Sequence, residues 1–147
     1  MLHESFGLHL ILLPAVACRI PAHVQSALTN TTTLVCAEFT CRCVAVHARE
    51  DHVHVLISAT TERDITSFVH ALLEALCRTV VECGGPFRRF SWDPAVHVTL
   101  LPPWHVEILA SFVRDQDRFH EQRTLEQELD EVFRPNALES EQPLSIN

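Results

Sequence analysis

The stretch Asp51-His52-Val53-His54-Val55-Leu56-Ile57-Ser58 decides the reading of this chain. It reads as a β-strand, and in a strand residues i and i+2 share a face. His52 and His54 therefore point the same way, while Val53, Val55 and Ile57 point oppositely, toward a core. Two neighbouring imidazoles can converge on one divalent ion, since neutral imidazole suits Mn²⁺ or Zn²⁺, and Mg²⁺ when oxygens complete the shell. The plainer alternative is a pair of solvent-exposed histidines. With ten histidines in 147 residues, a chance His-x-His is common.

Working outward, residues 41–49 alternate, with Cys43, Ala45 and His47 against Val44, Val46 and Ala48. Glu50-Asp51 makes a tight polar turn, so this strand and the His-x-His strand form a hairpin. Upstream, the apolar run 6–13 ended by Pro14 reads as a buried strand. A weak helix runs from Pro21 to about Phe39, its β-branched Thr29–Thr33 stretch being a poor helix former. Downstream, Ile65, Phe68, Val69, Leu72, Leu73, Leu76, Val80 and Val81 form one apolar stripe of a helix over 62–82. Thr61 and Asp64 open it as a capping box, and Gly84-Gly85-Pro86 closes it. A basic-aromatic loop, Phe87 to Trp92, leads to a strand at 95–101 closed by Pro102-Pro103. A helix then runs from Trp104 to about His120, and a charged amphipathic segment covers 124–133. Residues 136–147 read as a polar, disordered tail behind a single domain at 1–135.

The order strand, helix, strand, strand, helix, strand specifies an α+β, ferredoxin-like split βαβ fold: a four-stranded antiparallel sheet with two helices on one face. The opposite face is expected to be open, with both histidines on it, and the C-terminal helix is an appendage.

No apolar run is long enough to span a membrane, and neither a basic cluster nor a cleavage site flanks the apolar residues 8–16. The expected compartment is the cytoplasm. Six cysteines show no disulfide framework, and Cys41-Arg42-Cys43 lacks zinc-knuckle spacing, so the cysteines read as inert. Net charge is −8 and lysine is absent, which leaves eleven arginines to make every cationic phosphate contact.

The strand 51–58 is very similar to the "DHVH" strand of the single-tyrosine HUH transposases, encoded by the smallest bacterial insertion sequences and related repeat-associated elements. Further resemblances follow in register. Phe90-Ser91-Trp92-Asp93-Pro94-Ala95 resembles the family's "LWSPGY" segment, and Phe112-Val113-Arg114-Asp115-Gln116 resembles its "YIENQ" helix. The resemblance covers roughly residues 8–120. It implies that His52, His54 and Gln116 hold Mg²⁺ or Mn²⁺ at a scissile phosphate of single-stranded DNA, and that the protein is a homodimer recognising DNA hairpins. It also implies that Phe112 occupies the position of the nucleophilic tyrosine. The whole chain contains no tyrosine, and a phenyl ring has no oxygen to attack phosphorus, so no covalent DNA intermediate is expected.

The family's basic "TKYRRP" segment is replaced here by the mostly apolar Leu13–Arg19, and its basic central-helix patch by His70-Ala71-Leu72-Leu73-Glu74. Both departures predict weak DNA binding. Arg88, Arg89 and Arg114 are the candidate phosphate contacts, with Trp92 or Trp104 available for base stacking. The readings that follow are a degenerate or domesticated transposase, a metal-dependent nuclease using water, and a non-enzymatic interaction module. His97-Val98-Thr99-Leu100 also fits one element of the two-histidine phosphoesterases, which need two; His97 more simply lines the sheet face near His52 and His54.

Overall fold

The strand β1 (Phe6–Leu12), the helix α1 (Gln25–Glu38) and the hairpin strands β2 (Arg42–Arg49) and β3 (His52–Ala59) form the first half of the fold. The helix α2 (Ile65–Cys83), the strand β4 (Ala95–Leu101) and the helix α3 (Pro103–Arg114) follow. A short α4 (Gln116–Phe119) and β5 (Pro143–Ser145) complete the elements. The structure is a computed structural model describing residues 6–59, 65–83, 89–119, 127 and 143–145. The capping box at Thr61 and Asp64, the Gly84-Gly85-Pro86 stop, Arg88 and nearly all of the 124–133 segment lie outside the described residues.

The sheet is antiparallel with order β2-β3-β1-β4-β5. Its four-stranded core and two helices on one face are the arrangement expected from the sequence. Leu8, Leu10 and Leu12 of β1 and Val53, Val55 and Ile57 of β3 bury their side chains with Leu28 and Val35 of α1 and Phe68, Val69, Leu72 and Leu76 of α2. Each such side chain contributes roughly 1.5–3 kcal/mol. The threonine run folds as helix because its hydroxyls find local acceptors. Thr29 and Thr32 donate to the carbonyls of Gln25 and Leu28, and Thr31 meets Thr79 of α2 at 2.7 Å.

Three expectations need correction. The second sheet face is not open: α3 packs across β1, β2 and β3, and Val106, Ala110 and Val113 form a second core with Ala45, Leu56 and Leu101. The close approach requires Gly7, because a Cβ there would stand 2.5 Å from Val106 Cγ2. Second, β2 does not alternate regularly. A bulge between Cys43 and Ala45 turns Cys43 toward the first core, together with Val46 and Ala48, while Val44 and Ala45 join the second. Third, Pro143–Ser145, within the stretch expected to be disordered, pairs with Ala95–His97 as β5.

Candidate functional site

Because directly paired residues of an antiparallel sheet share a face, the register brings five histidines to the side covered by α3. His9 of β1, His47 of β2, His52 and His54 of β3 and His97 of β4 all lie there, placed by the pairings His47↔His54, Ile11↔His54 and Ile11↔His97. His52 and His54 are 0% exposed and His9 is 1% exposed. This overturns the expectation that the pair stands on an open face. The cover is α3, whose apolar stripe leaves His9, His52 and His54 no solvent.

The second-core helix ends at Arg114, and Asp115 breaks it before α4 begins at Gln116. The expected single helix from 104 to 120 is therefore two. The chain turns because Asp117 is drawn onto β2, where its carboxylate accepts hydrogen bonds from Arg49 Nη1 at 2.7 Å and His47 Nε2 at 3.2 Å. Those partners, His47 first, hold the Asp117 carboxyl below the ordinary carboxylate range. The result is that Gln116, itself 0% exposed, points its side chain at His52.

His52 Nε2 and Gln116 Oε1 are 3.1 Å apart. The other ring nitrogen of His52, Nδ1, lies 2.7 Å from Asp51 Oδ1 and donates to it. A neutral His52 that donates through Nδ1 carries its lone pair on Nε2, which faces the buried Gln116 amide. A cation bound between them would take both an imidazole nitrogen and an amide oxygen as ligands. His54 Nδ1 lies 2.8 Å from His9 Nε2. Both histidines of the pair thus have Nδ1 tied back by a neighbour, the arrangement that fixes ring orientation behind a metal-ligating Nε2. The rings of His52 and His54 are 5.0 Å apart, centroid to centroid. The Phe112 ring stands edge-on to His54 at 5.7 Å, so the residue in the tyrosine position is beside the pair.

Among the described residues, no three His, Cys, Asp or Glu side chains are grouped to hold a metal. Gln116, whose amide oxygen lies 3.1 Å from His52 Nε2, adds a donor of another type beside the pair. The sequence pointed to His52, His54, Phe112 and Gln116, and the fold brings all four together. It did not single out His9, which lies in an apolar run and becomes visible only through the β1–β3 register. Thr99, the partner of His9 across β1 and β4, buries a hydroxyl without a hydrogen-bond partner among the described residues.

The candidate DNA contacts divide. Trp92 is half-buried: its indole N–H donates to Leu73 O of α2 at 3.0 Å and its ring packs edge-on against Phe90 at the first core. Arg89 and Arg114 are exposed, and Arg114 donates to Val44 O. Trp104 is 71% exposed. At the end of β2, a cavity of about 680 Å³ is lined by Arg19, Gln25, His47, Arg49, Glu50 and Asp117, and of the five histidines His47 alone lines it.

The family model for "Transposase IS200 like" matches residues 4–116, from before β1 through Gln116. The chain belongs to the IS200-like transposase family. A crystal structure described as a "putative transposase" from Deinococcus radiodurans R1 is similar to this IS200-like chain at 21% identity and a TM-score of 0.57. The match covers 76% of this chain and 91% of that one, a likeness of fold. No curated protein matches.

Proposed function

We propose that this IS200-like family member keeps a divalent-metal site on His52, His54 and Gln116 and has lost strand transfer through the replacement of the tyrosine by Phe112. The observation that carries the reading is the buried meeting of His52 Nε2 and Gln116 Oε1 at 3.1 Å. Two imidazole nitrogens and an amide oxygen suit Mn²⁺ or Mg²⁺, and the family is generally metal-dependent. When bound, such an ion supplies Lewis-acid polarisation of a phosphoryl oxygen. Asp51 and His9 orient the two imidazoles, and Asp117 holds Gln116 against them. Phe112 fills the ring volume beside His54 with no group that attacks phosphorus.

Single-stranded or hairpin DNA is the partner class that the family implies. Binding is weak here because three of the described arginines are already engaged by carboxylates: Arg19 by Glu50, Arg49 by Asp117 and Arg78 by Glu74. In the cavity at the end of β2, Arg19 and Arg49 are the two so paired, so a phosphate there would compete with Glu50 and Asp117.

Calorimetric titration with Mn²⁺ tests the metal reading: wild type binds one ion, and His54→Ala abolishes the heat. Absence of binding by wild type removes the site. Incubation with hairpin DNA separates the chemistries. Wild type yields no protein–DNA adduct, and Phe112→Tyr, with the phenol restored beside His54, yields some. Metal-dependent release of a free 5′-phosphate by wild type without an adduct would instead identify water as the nucleophile.

A further inference from the structure

The buried amide beside the histidine pair is held from outside the pocket. Gln116 is buried, but the segment that carries it is not. Helix α4 has four residues, too few to hold a helix by its own hydrogen bonds, and the side chain of Asp117, next in the chain, is 76% exposed. The anchors of this segment lie on β2. Before Gln116, Arg114 Nη2 donates to Val44 O at 3.3 Å. Val44 is the residue that the register between Cys43 and Ala45 skips, so the bulge supplies that acceptor. After Gln116, Asp117 accepts from Arg49 Nη1 at 2.7 Å and His47 Nε2 at 3.2 Å. Arg49 and His47 are the register partners of His52 and His54. The rows of the sheet that carry the two imidazoles therefore also carry the groups that dock the Gln116 segment. Within the segment, Gln116 Nε2 donates to Phe112 O at 3.5 Å, which leaves Oε1 turned to His52 Nε2.

We infer that Arg49 is a positioning residue for the metal site, and that its ion pair with Asp117 is a latch. Closed, the latch adds Gln116 to the two histidines; open, it leaves a two-histidine site. The inference rests on the metal reading of His52, His54 and Gln116 and adds its regulation. Of the β2 contacts, the Arg49–Asp117 bond is the shortest and joins two full charges, which puts it in the strong class. Arg49 is therefore the partner whose loss opens the latch. The pair also reaches solvent, and exposed ion pairs hold weakly and are screened by salt. A contact of that strength opens without unfolding the sheet. Arg49, His47 and Asp117 all line the cavity at the end of β2, so a competing anion reaches Arg49 there without entering the buried pocket. The metal site thus keeps its two histidines at all times and gains its third donor only while β2 holds Asp117.

The test reads Mn²⁺ affinity and, without metal, the Gln116 side chain itself. In titrations of the full chain at low salt, Arg49→Ala is expected to weaken Mn²⁺ binding about 10-fold, the low end of the loss for a group that orients a ligand. Gln116→Ala weakens it at least as much. Arg49→Ala added to Gln116→Ala changes nothing further, because Arg49 acts only through Gln116. Arg49→Lys, which keeps the charge, recovers part of the loss. Added sodium chloride weakens binding more steeply in wild type than in Arg49→Ala. In the metal-free protein, the side-chain amide resonances of Gln116 in heteronuclear NMR move to those of a solvated glutamine in Arg49→Ala, with the melting temperature nearly unchanged. Full affinity in Arg49→Ala, an equal loss from Arg49→Ala with and without Gln116, or a Gln116 amide that stays in place in Arg49→Ala overturns the latch. Wild type that binds no Mn²⁺ removes the metal reading instead, and the amide resonances then decide whether Arg49 holds Gln116.

Discussion

At the scale of single residues, the site turns on what stands behind each imidazole. His9 reaches His54 Nδ1 at 2.8 Å from a strand that reads as plain apolar core. Replacing a group that orients a metal-ligating histidine weakens metal affinity about 10–100-fold. His9→Ala is therefore expected to weaken Mn²⁺ binding by that factor in a titration, with the ion still bound. Loss as complete as in His54→Ala would make His9 a ligand instead. Thr99 presents the opposite case. Its buried hydroxyl has no partner among the described residues, and an unsatisfied buried polar group costs about 1–3 kcal/mol. Thr99→Val keeps the shape and removes the cost, so it should stabilise the protein by about 1 kcal/mol in denaturant unfolding. A destabilised variant would mean that the hydroxyl is satisfied in solution.

At the scale of elements, helix α3 decides accessibility, and the sequence did not reveal its place. The His-x-His alternation, the α2 stripe and the order of strands were legible because each is a local period of two or 3.6. That α3 lies across the histidines depends on Gly7, three strands' worth of register and the apolar positions Val106, Ala110 and Val113 meeting Leu56 and Leu101. None of these is a local signal. The β2 bulge was hidden for the same reason, since Cys43-Val44-Ala45-Val46 satisfies simple alternation and only pairing with β3 exposes the extra residue. Phe112 and Gln116 were readable from the resemblance, whereas the break at Asp115 that aims Gln116 comes from Asp117 binding Arg49 and His47. Gly7→Ala tests the docking of α3 directly. Its Cβ would meet Val106 Cγ2 at 2.5 Å and Leu101 Cβ at 3.1 Å, and such overpacking costs about 1–3 kcal/mol. The melting temperature should fall, and Val106→Ala in the same chain should recover part of the loss. Simple additivity of the two substitutions would show that the contact is not tight.

At the scale of the molecule, charge and exposed apolar surface set what this protein can meet. Net charge of −8 and ion-paired arginines work against DNA, so affinity for it should survive only at low salt, where phosphate contacts are strongest. Among the described residues, no helix is long and apolar enough to cross a membrane. The outer side of α3 is different in character. Trp104 is 71% exposed and Ile108 61% exposed one turn later, on the helix whose inner side seals the histidines. A large exposed indole next to an aliphatic residue is the kind of anchor that interfaces use. A second copy of the chain is the occupant implied by the family resemblance, and the homodimer follows as a proposal. Because both side chains already stand in solvent, Trp104→Glu together with Ile108→Glu should leave the melting temperature of the isolated subunit nearly unchanged. In light scattering the same variant should run as a monomer where wild type runs as a dimer. Wild type that remains monomeric at high concentration would remove the dimer, and a double variant that remains dimeric would move the interface to another face.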